Sequence, residues 1–277
     1  MKIETPNHFK IQIQNVNIHY EFYQNISKSS PTFILIHGFL SSTFSYRRLI
    51  PLLSEDHSVL ALDLPPFGQS EKSTTFTYSY KNMASIVEEL IIRLKLSNVI
   101  LVGHSMGGQI ALNVARKRPD LVEKIVLLSS SGYMKRSSTT LIYSSYIPFF
   151  HRYVKRYLGK QGVERNLLNV VHDHSLIDEA MRNGYLQPFN DDKIFMALTR
   201  MIRHREGDLE SEELQKIKTP SLLLWGQEDK VVPVTIGKRL QQDLPISTFI
   251  SFDKTGHLVP EEKPLHVYEN ILHFIDG

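Results

Sequence analysis

The residues Gly103-His104-Ser105-Met106-Gly107 follow directly on the apolar run Asn98-Val99-Ile100-Leu101-Val102. No other stretch constrains the fold of this chain as strongly. A G-x-S-x-G pattern after a β-branched run builds a nucleophile elbow, a sharp strand-to-helix turn that holds a serine hydroxyl clear of the backbone. Glycines flank the serine because the turn is tight and the strand and helix crowd each other there. The downstream sequence agrees. Met106, Ile110 and Val114 recur at helical spacing, and Arg116-Lys117-Arg118 with Pro119 gives the helix an end. The competing reading is a glycine-rich turn with an ordinary serine, and the strand and helix on either side weigh against it.

Further continuous apolar runs occur at Thr32–Ile36, Ser58–Leu62 and 125–128, and the pattern resumes at 221–225 and 248–252. Helical faces lie between them. Met83, Ile86, Val87, Leu90, Ile91 and Leu94 mark one over 79–96, another is expected over 235–244, and a last helix should begin near Pro264. Buried strands alternating with amphipathic helices imply a mostly parallel sheet covered on both faces. Ahead of it, 10–14 and 17–23 alternate in polarity around Asn15-Val16, which predicts an opening β-hairpin.

From Gly132 to about Leu214 the strand rhythm disappears. Tyr143, Tyr146, Phe149, Phe150, Tyr153 and Tyr157 are interleaved there with His151, Arg152, Lys155 and Arg156. The stretch is too long for a loop inside a compact domain and reads as a helical insertion. This divides the chain into a core of 1–132 and 213–277 and a helical cap of 133–212, whose aromatics are expected to wall a substrate pocket. A helix lying on a membrane surface is the rival reading of the same residues. Ser27-Lys28-Ser29-Ser30 and Ser73-Thr74-Thr75 read as surface loops, and no internal repeat is visible.

Composition removes several classes of function. The chain has 277 residues and no cysteine, so disulfide scaffolds, thiolate metal sites and cysteine nucleophiles are excluded. A net charge of +3 is too small by itself to argue for nucleic acid. No run approaches the ~18 apolar residues of a membrane span, and the N-terminus lacks the apolar core of a signal peptide. A cytoplasmic protein without stable membrane insertion is expected; the sequence leaves oligomeric state open.

A serine hydroxyl becomes a nucleophile when a base takes its proton, and an imidazole base works best when a carboxylate orients it. Both partners can be placed. Asp229, in Gly226-Gln227-Glu228-Asp229-Lys230, follows the strand ending at Trp225; His257, in Thr255-Gly256-His257, follows the strand ending at Phe252. In a parallel sheet the loops after the strands share one edge, where ligands bind. Ser105 leaves its strand at the same edge, and the chain order Ser, Asp, His suits this type of fold. Glu228 is the rival acid. His104 is expected to pack beside the elbow, and Asp63, which precedes the serine, to serve in structural hydrogen bonds. His172 and His174 lack a third ligand at metal-site spacing. The glycines around Ser105 match neither a dinucleotide fingerprint nor a P-loop. No cofactor or metal is expected.

Together with His37-Gly38-Phe39, Asp63-Leu64-Pro65-Pro66-Phe67-Gly68-Gln69-Ser70 and Trp225-Gly226-Gln227-Glu228-Asp229, these residues make the chain resemble the serine-dependent α/β-hydrolase fold proteins of the capped, esterase-like group. The resemblance runs from Ile34 to the last helix and is weakest in the cap. It implies an eight-stranded sheet, a catalytic set of Ser105, Asp229 and His257, and an oxyanion hole formed by the backbone N–H groups of Phe39 and Met106. Pro66 departs from the glycine usual in related sequences, so that loop is expected to be stiffer or differently turned. The activity implied is hydrolysis of small apolar carboxylic esters through an acyl-enzyme. A carbon–carbon bond hydrolase of dienoic ketoacids and a signalling or binding protein on the same fold are the alternatives, since fold alone does not fix function. Haloalkane and epoxide chemistry is disfavoured, because related enzymes of those types carry aspartate in place of Ser105.

Overall fold

The structure is a computed structural model that describes residues 7–25 and 30–277. The N-terminal hexapeptide and most of the expected loop at Ser27-Lys28-Ser29 lie outside the described residues. Strands β1 (Asn7–Ile13) and β2 (Val16–Tyr23) form the hairpin. Its two-residue turn is Gln14-Asn15, both at positive φ (51° and 61°), as tight hairpin turns require. Val16 therefore opens β2, and the connection lies one residue earlier than its polarity suggested.

There follow β3 (Thr32–Ile36), α1 (Ile50–Leu53), β4 (Ser58–Leu62), α2 (Tyr80–Arg93), β5 (Val99–His104), α3 (Met106–Lys117) and β6 (Lys124–Leu128). The chain then runs through α4 (Thr139–Ser144), α5 (Phe150–Gln161), α6 (Val163–Val170), α7 (Glu179–Leu186), α8 (Lys193–His204) and α9 (Ser211–Leu214). It closes with β7 (Ser221–Gly226), α10 (Val234–Asp243), β8 (Ser247–Phe252), α11 (Val259–Glu262) and α12 (Pro264–Asp276). Among the described residues no strand interrupts the helices between β6 and β7.

The eight strands form one sheet in the order β1-β2-β4-β3-β5-β6-β7-β8. From β4 to β8 all neighbours are parallel, and β1 and β2 add an antiparallel edge. The strand period of two divides the core into two layers. Ile34, Ile36, Leu101, Leu127 and Leu223 face α2 and α3 on one side, where Met83, Val87, Ile110 and Val114 meet them. Phe33, Leu35, Ile100, Val102, Val126 and Leu222 face the other side, against Val267 and Ile271 of α12. Burial on both faces explains why these strands read as continuous apolar runs. Because β3, β5, β7 and β8 are parallel, the loops that follow them open at one edge, and every candidate site residue lies there.

Candidate active site

Ser105 stands between β5 and α3 with φ 52° and ψ −119°, a conformation that a non-glycine residue holds only when its surroundings enforce it. They do so by hydrogen bonds and by crowding. The Ser105 N–H donates to the Leu128 carbonyl, and its own carbonyl accepts from the N–H groups of Gly108 and Ser131. A Cβ on Gly107 would lie 2.0 Å from the Ile36 carbonyl oxygen, so α3 can cross β3 this closely only with glycine there. Gly38 answers a similar need, since its Cβ would meet the Ser105 Cβ at 3.0 Å.

The loop after β3 is fixed by a buried histidine. His37 Nδ1 donates to the Gly38 carbonyl at 2.7 Å, and His37 Nε2 accepts from the Leu64 N–H at 2.9 Å. Burial lowers its pKa, which keeps the ring neutral, as one donating and one accepting nitrogen require. Phe39 follows directly and lines the same cavity as Ser105. Met106 is the first residue of α3, so its N–H has no carbonyl one turn earlier to bond.

The imidazole of His257 is held from both sides. Its Nδ1–H donates to Asp229 Oδ2 at 2.8 Å. Asp229 Oδ1 accepts from the N–H groups of Val231 and Val232 at 2.8 and 2.9 Å. Burial pushes the Asp229 carboxyl up, but the His257 bond and these N–H groups outweigh it and hold the pKa below its ordinary value. Glu228 turns elsewhere: its Oε2 accepts from the Thr255 N–H at 2.8 Å. Of the two adjacent carboxylates, Asp229 is the one on the imidazole. His104 packs against the His257 ring at 4.8 Å between centroids and donates Nε2–H to the His257 carbonyl at 2.9 Å. Desolvation, aided by the neighbouring His257, pushes the pKa of His104 down to about 3.

One contact was not legible in the sequence. The His257 N–H donates to the carbonyl of Val170 in α6 at 2.7 Å. Glu262 reinforces this junction, taking the Gly256 N–H on Oε1 at 2.8 Å and the His172 and Asp173 N–H groups on Oε2 at 2.8 and 3.2 Å. The helical segment thus grips the histidine loop directly. Glu262 carries no motif, because it acts on backbone groups, two of them about ninety residues away in sequence.

Ser105, His104, His257, Gly38 and Phe39 share a cavity of about 270 Å³. Its remaining wall comes from Leu40, Ser41, Val231 and Leu258, and from Asn166, Leu167, Asn169, Val170, Tyr185 and Phe189 of the segment between β6 and β7. The expected aromatic wall is therefore corrected. Tyr143, Tyr146, Phe149, Phe150 and Tyr153 do not line this cavity; Tyr185 and Phe189 do. The former group sits on α4, α5 and the turn between them.

Asp63 has the structural duty expected of it: it accepts from His19 Nδ1 and from the N–H groups of Thr43 and Gln69, each at 2.8 Å. In the loop that departs from the family pattern, the Pro65–Pro66 bond is cis. Among the described residues, ligand atoms of His8, His19 and Glu21 lie within 4.8 Å of one another. Protein groups already engage them, since His8 Nδ1 meets His19 Nε2 at 3.2 Å and the Glu21 oxygens accept from Thr43 and Tyr23. His174 bonds the Leu168 carbonyl and brings no ligand to His172.

A serine on a strained elbow and a carboxylate-oriented histidine, at one edge of a largely parallel sheet, define a class of protein. The sequence profile of the alpha/beta hydrolase fold matches residues 31–264, and the chain belongs to that family. It is 56% identical over 266 residues to the uncharacterized hydrolase YugF of Bacillus subtilis, an alignment covering 96% of this chain and 97% of that one. It is 27% identical to a 2-hydroxy-6-oxo-6-(2'-aminophenyl)hexa-2,4-dienoic acid hydrolase of Metapseudomonas resinovorans, covering 87% of this chain and 82% of the other. Among solved structures, a bacterial membrane phospholipase A superposes with a TM-score of 0.80 at 25% identity, covering 98% of this chain and 86% of that one. Among the described residues, no helix is long and apolar enough to cross a membrane.

Proposed function

We propose that this chain is a carboxylic ester hydrolase that forms an acyl-enzyme on Ser105, with residues 133–212 acting as a helical cap over the site. The observation that carries the reading is that Ser105, the Asp229-bound His257 and the Phe39 loop open onto one cavity. With Nδ1 committed to Asp229, Nε2 of His257 is the nitrogen that takes the Ser105 proton as Oγ attacks the ester carbonyl carbon. The backbone N–H groups of Phe39 and Met106 stabilise the resulting oxyanion, aided by the N-terminal dipole of α3. His257 then gives the proton to the departing alkoxide. Later it draws a proton from water as the water oxygen attacks the acyl carbon, and it passes that proton to Ser105 Oγ as the Ser105–acyl bond breaks and the acid leaves. Asp229 holds the imidazole in the required tautomer and stabilises its charged form.

The cavity wall favours an ester over a dienoic ketoacid. A ketoacid brings a carboxylate into the site, and a buried anion needs a cationic partner. Among the described residues, no lysine or arginine lines the cavity, whereas a neutral ester asks for none. A labelling and turnover experiment tests the reading. The wild-type protein should react with a fluorophosphonate probe and hydrolyse short neutral esters in preference to dienoic ketoacids. Ser105→Ala should lose both reactions while keeping its melting temperature nearly unchanged. Substantial ester turnover by folded Ser105→Ala protein would overturn the assignment, and a preference for ketoacids would return the carbon–carbon reading.

A further inference from the structure

Of the aromatics that lie outside the cavity, Phe150 packs against the core, and the others do not. Tyr143 is 71% exposed, Phe149 64%, Tyr146 62% and Tyr153 60%, and Leu141, Ile147 and Tyr157 on the same stretch are exposed as well. All lie on α4, α5 or the turn joining them, and neighbours touch: Phe150 packs on Tyr153, and Tyr153 stacks on Tyr157. Among the described residues, burial on this stretch centres on the side that meets α8, where Val154 joins Phe195 and Leu198. A run of large apolar groups presented outward is uncommon on a monomeric soluble surface and marks a contact face.

The charge of the stretch says what it contacts. From Tyr133 to Val163 the sequence holds Lys135, Arg136, Arg152, Lys155, Arg156 and Lys160 and no aspartate or glutamate. The whole chain carries only +3, so this segment is basic against a remainder that is net acidic. Asp192 takes up the Lys155 ammonium at 2.6 Å. Among the described residues no carboxylate pairs with Arg152 or Arg156, and Arg152 lies over the Phe149 ring instead.

We propose that the α4–α5 face docks on an anionic phospholipid bilayer, with the tyrosines and Phe149 at the headgroup level and Arg152 and Arg156 against lipid phosphates. Tyrosines are suited to that depth, having an apolar body and a polar tip, and nearby cations add attraction to anionic lipid. A second copy of the chain fits less well, because a symmetric contact would set the same acid-free basic face against itself. Nucleic acid would answer the charge but would leave Leu141 and Ile147 uncovered. Through Gly162 the stretch runs into α6, which contributes Asn166, Leu167, Asn169 and Val170 to the cavity wall. Docking would therefore hold one wall of the cavity close to the lipid phase. The proposal is independent of the ester reading, because its readout is binding alone.

Sedimentation of the full chain with vesicles tests it, using phosphatidylcholine with and without phosphatidylglycerol. Wild type should bind the phosphatidylglycerol vesicles about ten-fold more tightly than the neutral ones, and the preference should weaken with salt. Arg152→Gln with Arg156→Gln should remove most of that ten-fold preference while leaving binding to the neutral vesicles nearly unchanged. Tyr146→Ser, Phe149→Ser and Tyr153→Ser together should abolish binding to both. Every variant should keep the wild-type melting temperature and fluorophosphonate labelling rate, since none of these residues touches Ser105 or His257. Failure of wild type to bind would overturn the proposal. So would variants that bind as well as wild type, a dimer in solution that the aromatic variant dissolves, or an affinity for nucleic acid that exceeds the affinity for vesicles.

Discussion

Asp229 and Glu228 are neighbours with the same functional group, and local backbone geometry gives them different work. Asp229 is pinned by the Val231 and Val232 N–H groups so that its second oxygen meets His257, while Glu228 reaches the Thr255 N–H. Asp229→Asn should therefore lower kcat steeply, on the order of the 10⁴-fold seen for the corresponding change in a serine protease. Glu228→Gln keeps a carbonyl acceptor for Thr255 and should change kcat by less than about three-fold; steady-state kinetics on one short ester compares the two. The pairing of Asp229 with His257 was legible in the sequence because it depends on chain order and on the end of an apolar run. His104 offers a second test. Its folded pKa of about 3 lies below the unfolded value of ~6.5, so between these two the unfolded chain binds the proton that the folded chain refuses. Stability from this residue is complete above about pH 6.5 and declines as pH falls, by up to about 1.4 kcal/mol per pH unit. His37 is shifted in the same direction and adds to the slope. The depressed Asp63 and Asp229 act in a separate, lower window, below the ordinary carboxylate value of ~3.9. Urea unfolding between pH 7 and 4.5 should show the decline in wild type and a shallower one in His104→Gln.

At the level of elements, β3 and β4 begin and end where their apolar runs do, since strands buried on both faces write their full length in the sequence. The helix beginning at Pro264 was equally clear, because proline suits a first helical turn. Contacts between elements were not. Nothing local announces that the Val170 carbonyl receives the His257 N–H, or that Glu262 joins the Gly256, His172 and Asp173 backbones. Such bonds depend on where two distant loops finish in space. The histidine loop is braced by the helical segment, so the proposed catalytic set does not stand on the core alone. Glu262→Ala leaves three N–H groups without their acceptor; those of His172 and Asp173 can turn to water, so the cost is about 1 kcal/mol, mainly from the part-buried Gly256 N–H. The melting temperature should fall, and kcat should fall more than KM rises, because the damage is to the placement of His257 and not to the cavity wall. Faster amide exchange at Gly256 and His172 would localise the effect, whereas wild-type kcat in the folded variant would count against bracing.

On the scale of the whole molecule, the segment between β6 and β7 divides its aromatics between two environments, and periodicity could not tell them apart. A helix records in its sequence which residues are apolar, but not whether a given apolar face meets a cavity, the core or the outside. Tyr185 and Phe189 face the cavity beside Leu167 and Leu258, while Tyr143 and Tyr153 are turned away from it and exposed. Both sets belong to the helical segment between β6 and β7, yet they should separate cleanly in kinetics on soluble esters. Phe189→Ala and Tyr185→Ala enlarge the cavity and should move the preferred acyl or alkyl chain to greater length. The expected change in selectivity is roughly 1–3 kcal/mol, the usual worth of reshaping an apolar pocket by about a methylene. Tyr143→Ala and Tyr153→Ala should leave the ratio of kcat/KM between short and long soluble esters within about two-fold, because less than about 0.5 kcal/mol is expected from exposed positions. A homologous series of p-nitrophenyl esters, kept below micelle-forming concentrations, measures all four variants on one scale. A length preference that followed Tyr143 or Tyr153 instead of Phe189 or Tyr185 would mean that α4 and α5 close over the site during turnover, and the cavity wall would have to be redrawn to include them.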